Sequence, residues 1–199
     1  EGPAILNALA TAADVDALKP VEPESDLACV LEAIRIVKRE LTIPLIGFAG
    51  GPFTLASYAI EGGPSRNYLK TKGLMHREPA VWRRLMTKLA TAVAAHLNAQ
   101  AKAGADVVQL FDSWAGVLAP ADYRDFVLPY SKMIFDAVKI PAIHFGTETG
   151  SLLELMKLAG GDCIGVDWRE PLDQARRRLG DIAVQGNLDP ALLMAPRDV

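Results

Sequence analysis

Asp106-Val107-Val108-Gln109-Leu110-Phe111-Asp112-Ser113-Trp114 is an apolar run that stops abruptly on polar residues, and that boundary decides the fold. A short run, nearly continuous in Val, Leu and Phe, is the pattern of a strand buried on both faces, as in a parallel sheet. Four more runs share it: Pro44 to Ala49, Ala142 to Gly146, Cys163 to Asp167 and Ile182 to Gly186, all bounded by Gly, Pro or Asp. Helical patterns lie between them. Glu24 to Leu41 sets Leu27, Leu31, Ile34, Val37 and Leu41 on one stripe, and Pro79 to Ala103 does the same with Trp82, Leu85, Leu89 and Val93 before Gly104 stops it. A third helix from about Ala121 to Lys139 contains Pro129, which is expected to kink it, and shorter ones follow at Glu148 to Leu158 and Pro171 to Leu179.

Strict alternation of strand and helix predicts an α/β protein with a parallel sheet, either an open doubly wound sheet or a (β/α)8 TIM barrel. The strand endings separate the two. No GxGxxG follows the first run, so the dinucleotide fingerprint of the open-sheet alternative is missing. Instead every run passes into small or polar residues: Gly50-Gly51-Pro52, Asp112-Ser113-Trp114, Thr147, Asp167-Trp168 and Gln185-Gly186-Asn187. A barrel collects its active site at these carboxyl ends. Residues 1–199 therefore read as one domain that supplies about five of the eight βα units. The chain opens without Met and stops at Arg197-Asp198-Val199, just past the expected start of another helix near Pro190, so truncation at both ends is expected.

A hydrophobic fraction of 50%, with 23% charged residues, is that of an ordinary soluble globular protein. The formal net charge of −3 gives no basic footprint for nucleic acid or an anionic membrane, so a polyanionic substrate needs locally placed cations. No apolar run approaches the ~20 residues that span a bilayer, and the first residues lack the pattern of a signal peptide, which points to the cytoplasm. Cys29 and Cys163 lie far apart with no CxxC or Cys/His pairing, and both are expected to be buried free thiols.

Three segments carry a resemblance. They are Ile46-Gly47-Phe48-Ala49-Gly50-Gly51-Pro52-Phe53-Thr54-Leu55, continuing to Ser57-Tyr58-Ala59-Ile60-Glu61-Gly62-Gly63; Gln109-Leu110-Phe111-Asp112-Ser113-Trp114-Ala115-Gly116; and Val166-Asp167-Trp168, with Gln185-Gly186-Asn187-Leu188-Asp189-Pro190. In this order and with strand ends at these places, the sequence resembles the uroporphyrinogen decarboxylase family. The resemblance implies a cofactor-independent lyase of haem biosynthesis, homodimeric when intact, that removes carbon dioxide from the four acetate side chains of uroporphyrinogen. An electron-rich pyrrole protonated on ring carbon is its own electron sink, which explains why no cofactor is needed. The protein then supplies counter-charge, orientation and a water-poor cleft.

Residue by residue, Tyr58 matches the family's tyrosine that faces the reacting acetate, and Ser113 matches a residue that hydrogen-bonds a substrate carboxylate. Phe48 and Phe111 match apolar wall positions. The family's essential aspartate and its arginine-rich loop are expected before Glu1, and its late histidine beyond Val199, so the isolated chain is expected to be inactive and to act at most as a binding piece. Read without the family, Tyr58 is an amphipathic side chain making a structural hydrogen bond and Ser113 a turn or capping residue. Asp112 and Asp167 read as structural groups that satisfy loop amides.

His76 and His96 read as solvent-facing or interface residues, and His144 as a packed, hydrogen-bonded imidazole. One rival gives His144 more to do, because cobalamin-dependent methyltransferases of the same fold hold zinc on a His-x-Cys pair at this strand. Here the partner position is Gly146. Cys163 begins its strand and so belongs at the other end of the barrel, which leaves no thiolate-rich set and no expected metal. Arg176-Arg177-Arg178 reads as a solvated helix face.

Overall fold

The computed structural model describes residues 5–63 and 65–196; residues 1–4 and 197–199, on which the reading of cut ends rests, lie outside them. Three helices lead in: α1 (Ala12–Ala17), α2 (Pro23–Asp26) and α3 (Ala28–Glu40). Then come β1 (Ile46–Gly50), α4 (Pro52–Glu61), α5 (Leu69–Arg77), α6 (Pro79–Ala103), β2 (Val107–Phe111), α7 (Pro120–Phe126), α8 (Leu128–Ala137) and β3 (Ala142–Phe145). The last elements are α9 (Leu153–Ala159), β4 (Cys163–Gly165), α10 (Leu172–Leu179) and β5 (Ala183–Gln185). The strands form one sheet in the order β1-β2-β3-β4-β5, parallel throughout.

Side chains alternate between two faces, as the pleat requires. Ala49, Val108, Leu110, Ala142, His144 and Ile164 face the helices, where Leu110 and Ile164 are fully buried with Phe53, Trp82, Leu85 and Ile134. Trp82 satisfies its indole N–H on the Phe126 carbonyl at 2.9 Å, so its whole ring can be buried without leaving a polar atom unpaired. The opposite face carries Ile46, Phe48, Gln109, Phe111, Ile143 and Phe145. Along β1, Gln100 of α6 is buried with its amide clasping one residue of the strand. The Phe48 N–H donates to Oε1 at 2.9 Å, and Nε2 donates to the Phe48 carbonyl at 2.7 Å.

Several local expectations change. Pro52–Glu61 is a helix, starting with Pro in its first turn and ending on Gly62 at φ 82°. Pro129 does not kink a single long helix; it sits in the first turn of α8, and the chain breaks at Val127 (φ −125°, ψ −50°), where its missing N–H costs no ladder bond. Likewise, residues 24–41 form α2 and α3 rather than one helix, with Leu27 as the break. Cys29 is exposed, because α3 packs on α6 only through a narrow stripe centred on Leu31 and Ile34. Cys163 is partly buried. Lys88 of α6 donates to the carbonyls of Val15, Asp16 and Leu18 at 2.9 Å each, closing the carboxyl end of α1.

Candidate active site at the strand ends

The carboxyl ends of β1 and β2 are drawn together by short backbone contacts. The Gly51 N–H donates to the Phe111 carbonyl at 2.7 Å, and the Asp112 N–H to the Phe145 carbonyl at 2.8 Å. A Cβ on Gly51 would come within 2.5 Å of the Asp112 Cβ, so only glycine lets α4 start this close to β2. From that start α4 carries Tyr58, whose half-buried ring lies on Trp114 with centroids 4.0 Å apart and planes at 33°. Tyr68 also packs on Trp114, with centroids 5.2 Å apart. Burial, with the Tyr58 and Glu61 groups nearby, raises its phenol above the ordinary range.

Ser113 is the residue between Asp112 and Trp114, partly exposed, and its carbonyl accepts the Thr147 hydroxyl. Tyr58 and Ser113 thus meet through Trp114, which neighbours one in sequence and stacks on the other. Phe48 and Phe111 lie together on the sheet face away from the helices, edge to face with centroids 5.6 Å apart. Phe145 extends the row, 5.4 Å from Phe111. Nothing in its own stretch of sequence, beside His144, singles it out. Its signal is Gly165, where a Cβ would lie 2.7 Å from the Phe145 ring, so the missing side chain makes room for the aromatic one. Phe48 is 63% exposed, which leaves this wall open to solvent.

Asp112 is 1% exposed, and burial pushes its carboxyl up to about 6 even though the Thr54 hydroxyl and N–H both donate to it. Asp167 accepts from the Glu148 and Arg169 amides at 2.6 and 2.9 Å and pairs with the Arg169 guanidinium at 2.8 Å. Arg169, a cation at the end of β4, also reaches Glu148 at 3.4 Å and lies over the Trp168 ring. Arg176, Arg177 and Arg178 are all exposed, as a solvated helix face requires, and Arg178 is also paired there with Glu154, through two 2.7 Å bonds, and with Glu170.

His144 faces the helices and not the aromatic row. Its Nδ1–H donates to the Met156 carbonyl at 3.2 Å, and Nε2 accepts from the Tyr123 hydroxyl at 3.4 Å. Complete burial depresses the imidazole to about 4. Both nitrogens are therefore spoken for, on the side of the sheet away from the strand-end cleft. His76 is exposed, 3.6 Å from Asp122, while His96 is half-buried, which lowers its pKa. Among the described residues no three His, Cys, Asp or Glu side chains converge as a metal site would require. A hollow of about 610 Å³ lies elsewhere: it is an apolar groove beside β1 between α3 and α6, reached by His96 and Gln100.

A parallel sheet wrapped on one face by helices, with glycines, hydroxyls and aromatic rings gathered at its strand ends, defines a segment of a (β/α)8 barrel. The fold agrees with that of a methyltransferase from Methanosarcina mazei, at a TM-score of 0.73 and 20% identity over 85% of this chain and 54% of that one. The family model for uroporphyrinogen decarboxylase (URO-D) matches residues 1–199, and the chain belongs to that family. It is 55% identical over 202 residues to the uroporphyrinogen decarboxylase of Thermus thermophilus and 52% identical over 205 residues to that of Carboxydothermus hydrogenoformans. Each alignment takes in all of this chain and 59% of the relative, so the chain spans about three-fifths of their length.

Proposed function

We propose that residues 1–199 form one barrel-type unit that contributes the substrate-facing wall of a uroporphyrinogen decarboxylase, converting uroporphyrinogen III to coproporphyrinogen III. The observation that carries the reading is the meeting of Tyr58 with the Ser113–Trp114 turn at the ends of β1 and β2, within a chain that matches the family along its whole length. In this reading Tyr58 orients the reacting acetate through its hydroxyl, and Ser113 donates to a substrate carboxylate. Phe48 and Phe111, extended by Phe145, form an apolar wall that keeps water from the macrocycle. The pyrrole, protonated on ring carbon, takes up the electron pair released when the bond to carbon dioxide breaks.

Among the described residues at the strand ends, Arg169 and Asp112 do not supply the free charges this chemistry needs. Arg169 already faces Asp167 and Glu148, and Asp112 is enclosed beneath α4. Carboxylate-binding cations and the counter-charge for the pyrrole are accordingly assigned to segments outside this chain, as the family resemblance implies. The reaction uses no metal and no organic cofactor, and it belongs in the cytoplasm, in a homodimer, without nucleic acid or membrane.

A chimera in which residues 1–199 replace the matching segment of the Thermus thermophilus relative tests this. The chimera is expected to form coproporphyrinogen and to lose most of that activity with Tyr58→Phe, while residues 1–199 alone form none. Coproporphyrinogen made by the isolated chain at the chimera's rate would refute the assignment of the charges, and an active chimera indifferent to Tyr58→Phe and Ser113→Ala would refute the site.

A further inference from the structure

Asp112 reads from sequence as a group that satisfies loop amides, but its partner is Thr54, on a different element. Oδ1 accepts the Thr54 N–H at 2.9 Å and the Thr54 hydroxyl at 2.8 Å. The second oxygen, Oδ2, is buried without a partner. A hydroxyl has one proton to give, and Thr54 gives it to Asp112. Its lone pairs are thereby turned outward, and one accepts the Trp114 N–H at 3.1 Å.

These bonds close a ring. Asp112 and Trp114 flank Ser113 in the chain, and both are tied to the same threonine. Thr54 and Tyr58 are four residues apart on α4 and so share one face of the helix. Trp114 completes the circuit by stacking on Tyr58 at 4.0 Å. Further contacts stiffen the turn: the Ala115 N–H donates to the Asp112 carbonyl at 3.0 Å, and Gly51 admits the start of α4 against the Asp112 side chain. Both Thr54 and Asp112 are buried, at 7% and 1% exposure, so water does not compete for these bonds.

We propose that Asp112 and Thr54 are positioning residues for this site. Asp112 anchors Thr54, Thr54 holds the Trp114 amide, and together they fix the Ser113 turn against the helix face that carries Tyr58. Neither touches substrate. Their effect is to hold two hydroxyls from separate elements at one spacing. The proposal rests on the reading of Tyr58 and Ser113 as substrate contacts, so its test has an arm that does not depend on activity.

In residues 1–199, the near-UV circular dichroism due to Trp114 is isolated by subtracting the spectrum of Trp114→Phe. Thr54→Val is expected to reduce that band by about half or more without changing the far-UV spectrum, and Thr54→Ser to keep it, because the hydroxyl alone makes the link. A folded Thr54→Val chain with the full band overturns the proposal. If Thr54→Val does not fold, hydrogen exchange of the wild type decides. The Trp114 amide is expected to exchange at least about 100-fold more slowly than in an unstructured chain, and exchange at the unstructured rate overturns the link.

In the chimera, Thr54→Val is expected to lower kcat by about ten- to a hundredfold, with KM changed much less, and Thr54→Ser to restore it. A lost Trp114 band with unchanged kcat overturns the positioning role. Tyr58→Phe and Ser113→Ala in the same chimera then show whether the reading of the site has failed as well.

Discussion

Replacing Asp112 by Asn should change how the stability of this chain depends on pH, and the size of the change follows from the burial of one carboxyl. Its pKa rises from 3.8 in the unfolded chain to about 6 in the folded one, because burial penalises the ionised form more than the bonds from Thr54 favour it. A raised folded value means that the native state binds the extra proton. The favourable contribution is complete below pH 4 and is lost as pH rises through about 6. Roughly two units at ~1.4 kcal/mol each make the loss about 3 kcal/mol by pH 7. His144 works in the opposite sense. Its folded value is depressed from 6.5 to about 4, so its contribution is present above 6.5 and is lost as pH falls toward 4. The two slopes nearly cancel in the wild type, and only the difference between variant and wild type isolates Asp112. Urea unfolding at pH 4, 5, 6 and 7 should show Asp112→Asn gaining on the wild type by about 3 kcal/mol across that range. A difference independent of pH would mean that the carboxyl ionises in the fold as easily as in water, and the account of its burial would be wrong.

Gly51→Ala should lower stability by more than about 2 kcal/mol in a thermal melt, because the new Cβ would sit 2.5 Å from the Asp112 Cβ and 2.8 Å from its Cα, where only backbone movement gives relief. Lys88→Met removes a cation from three carbonyls at the end of α1; a loss of about 1 to 3 kcal/mol is expected, with faster proteolysis near Leu18, and an unchanged digest would contradict the capping role. Elemental analysis after dialysis should find no stoichiometric zinc, because His144 uses both nitrogens inside the protein; one zinc per chain would refute that reading.

The strands are legible in the sequence because those of a parallel sheet leave nearly unbroken apolar runs, even where one face is open as at Ile46 and Phe48, and each starts and stops within two residues of its expected bounds. Helix α4 is not. It buries Phe53, Thr54, Ala56, Ser57 and Ile60, too wide an arc to show a single stripe, and its only local marks are Pro52 and Gly62. Pro129 is ambiguous in principle, since the same residue kinks one helix or opens the next, and the packing of α7 and α8 decides. At the site, sequence similarity picks out Tyr58, Ser113, Phe48 and Phe111, and the pleat puts the two phenylalanines on one face. The link from Asp112 to Thr54 spans 58 positions, and Phe145 owes its place to a glycine on the next strand. Neither leaves a local pattern.

Gln100 has a bearing on association that its place in the core does not suggest. An outer strand offers free amide and carbonyl groups to any strand that comes alongside, which is the usual route to edge-to-edge aggregation. At Phe48 both groups are already taken by the Gln100 amide. A newcomer, whether from a neighbouring molecule or from another stretch of polypeptide, must first evict that side chain. Lateral growth at this point breaks two hydrogen bonds to form two others and strips the buried Gln100 amide of its partners, so it is unfavourable in itself. At Phe48, then, an incoming strand meets a side chain that must be displaced and not open backbone groups.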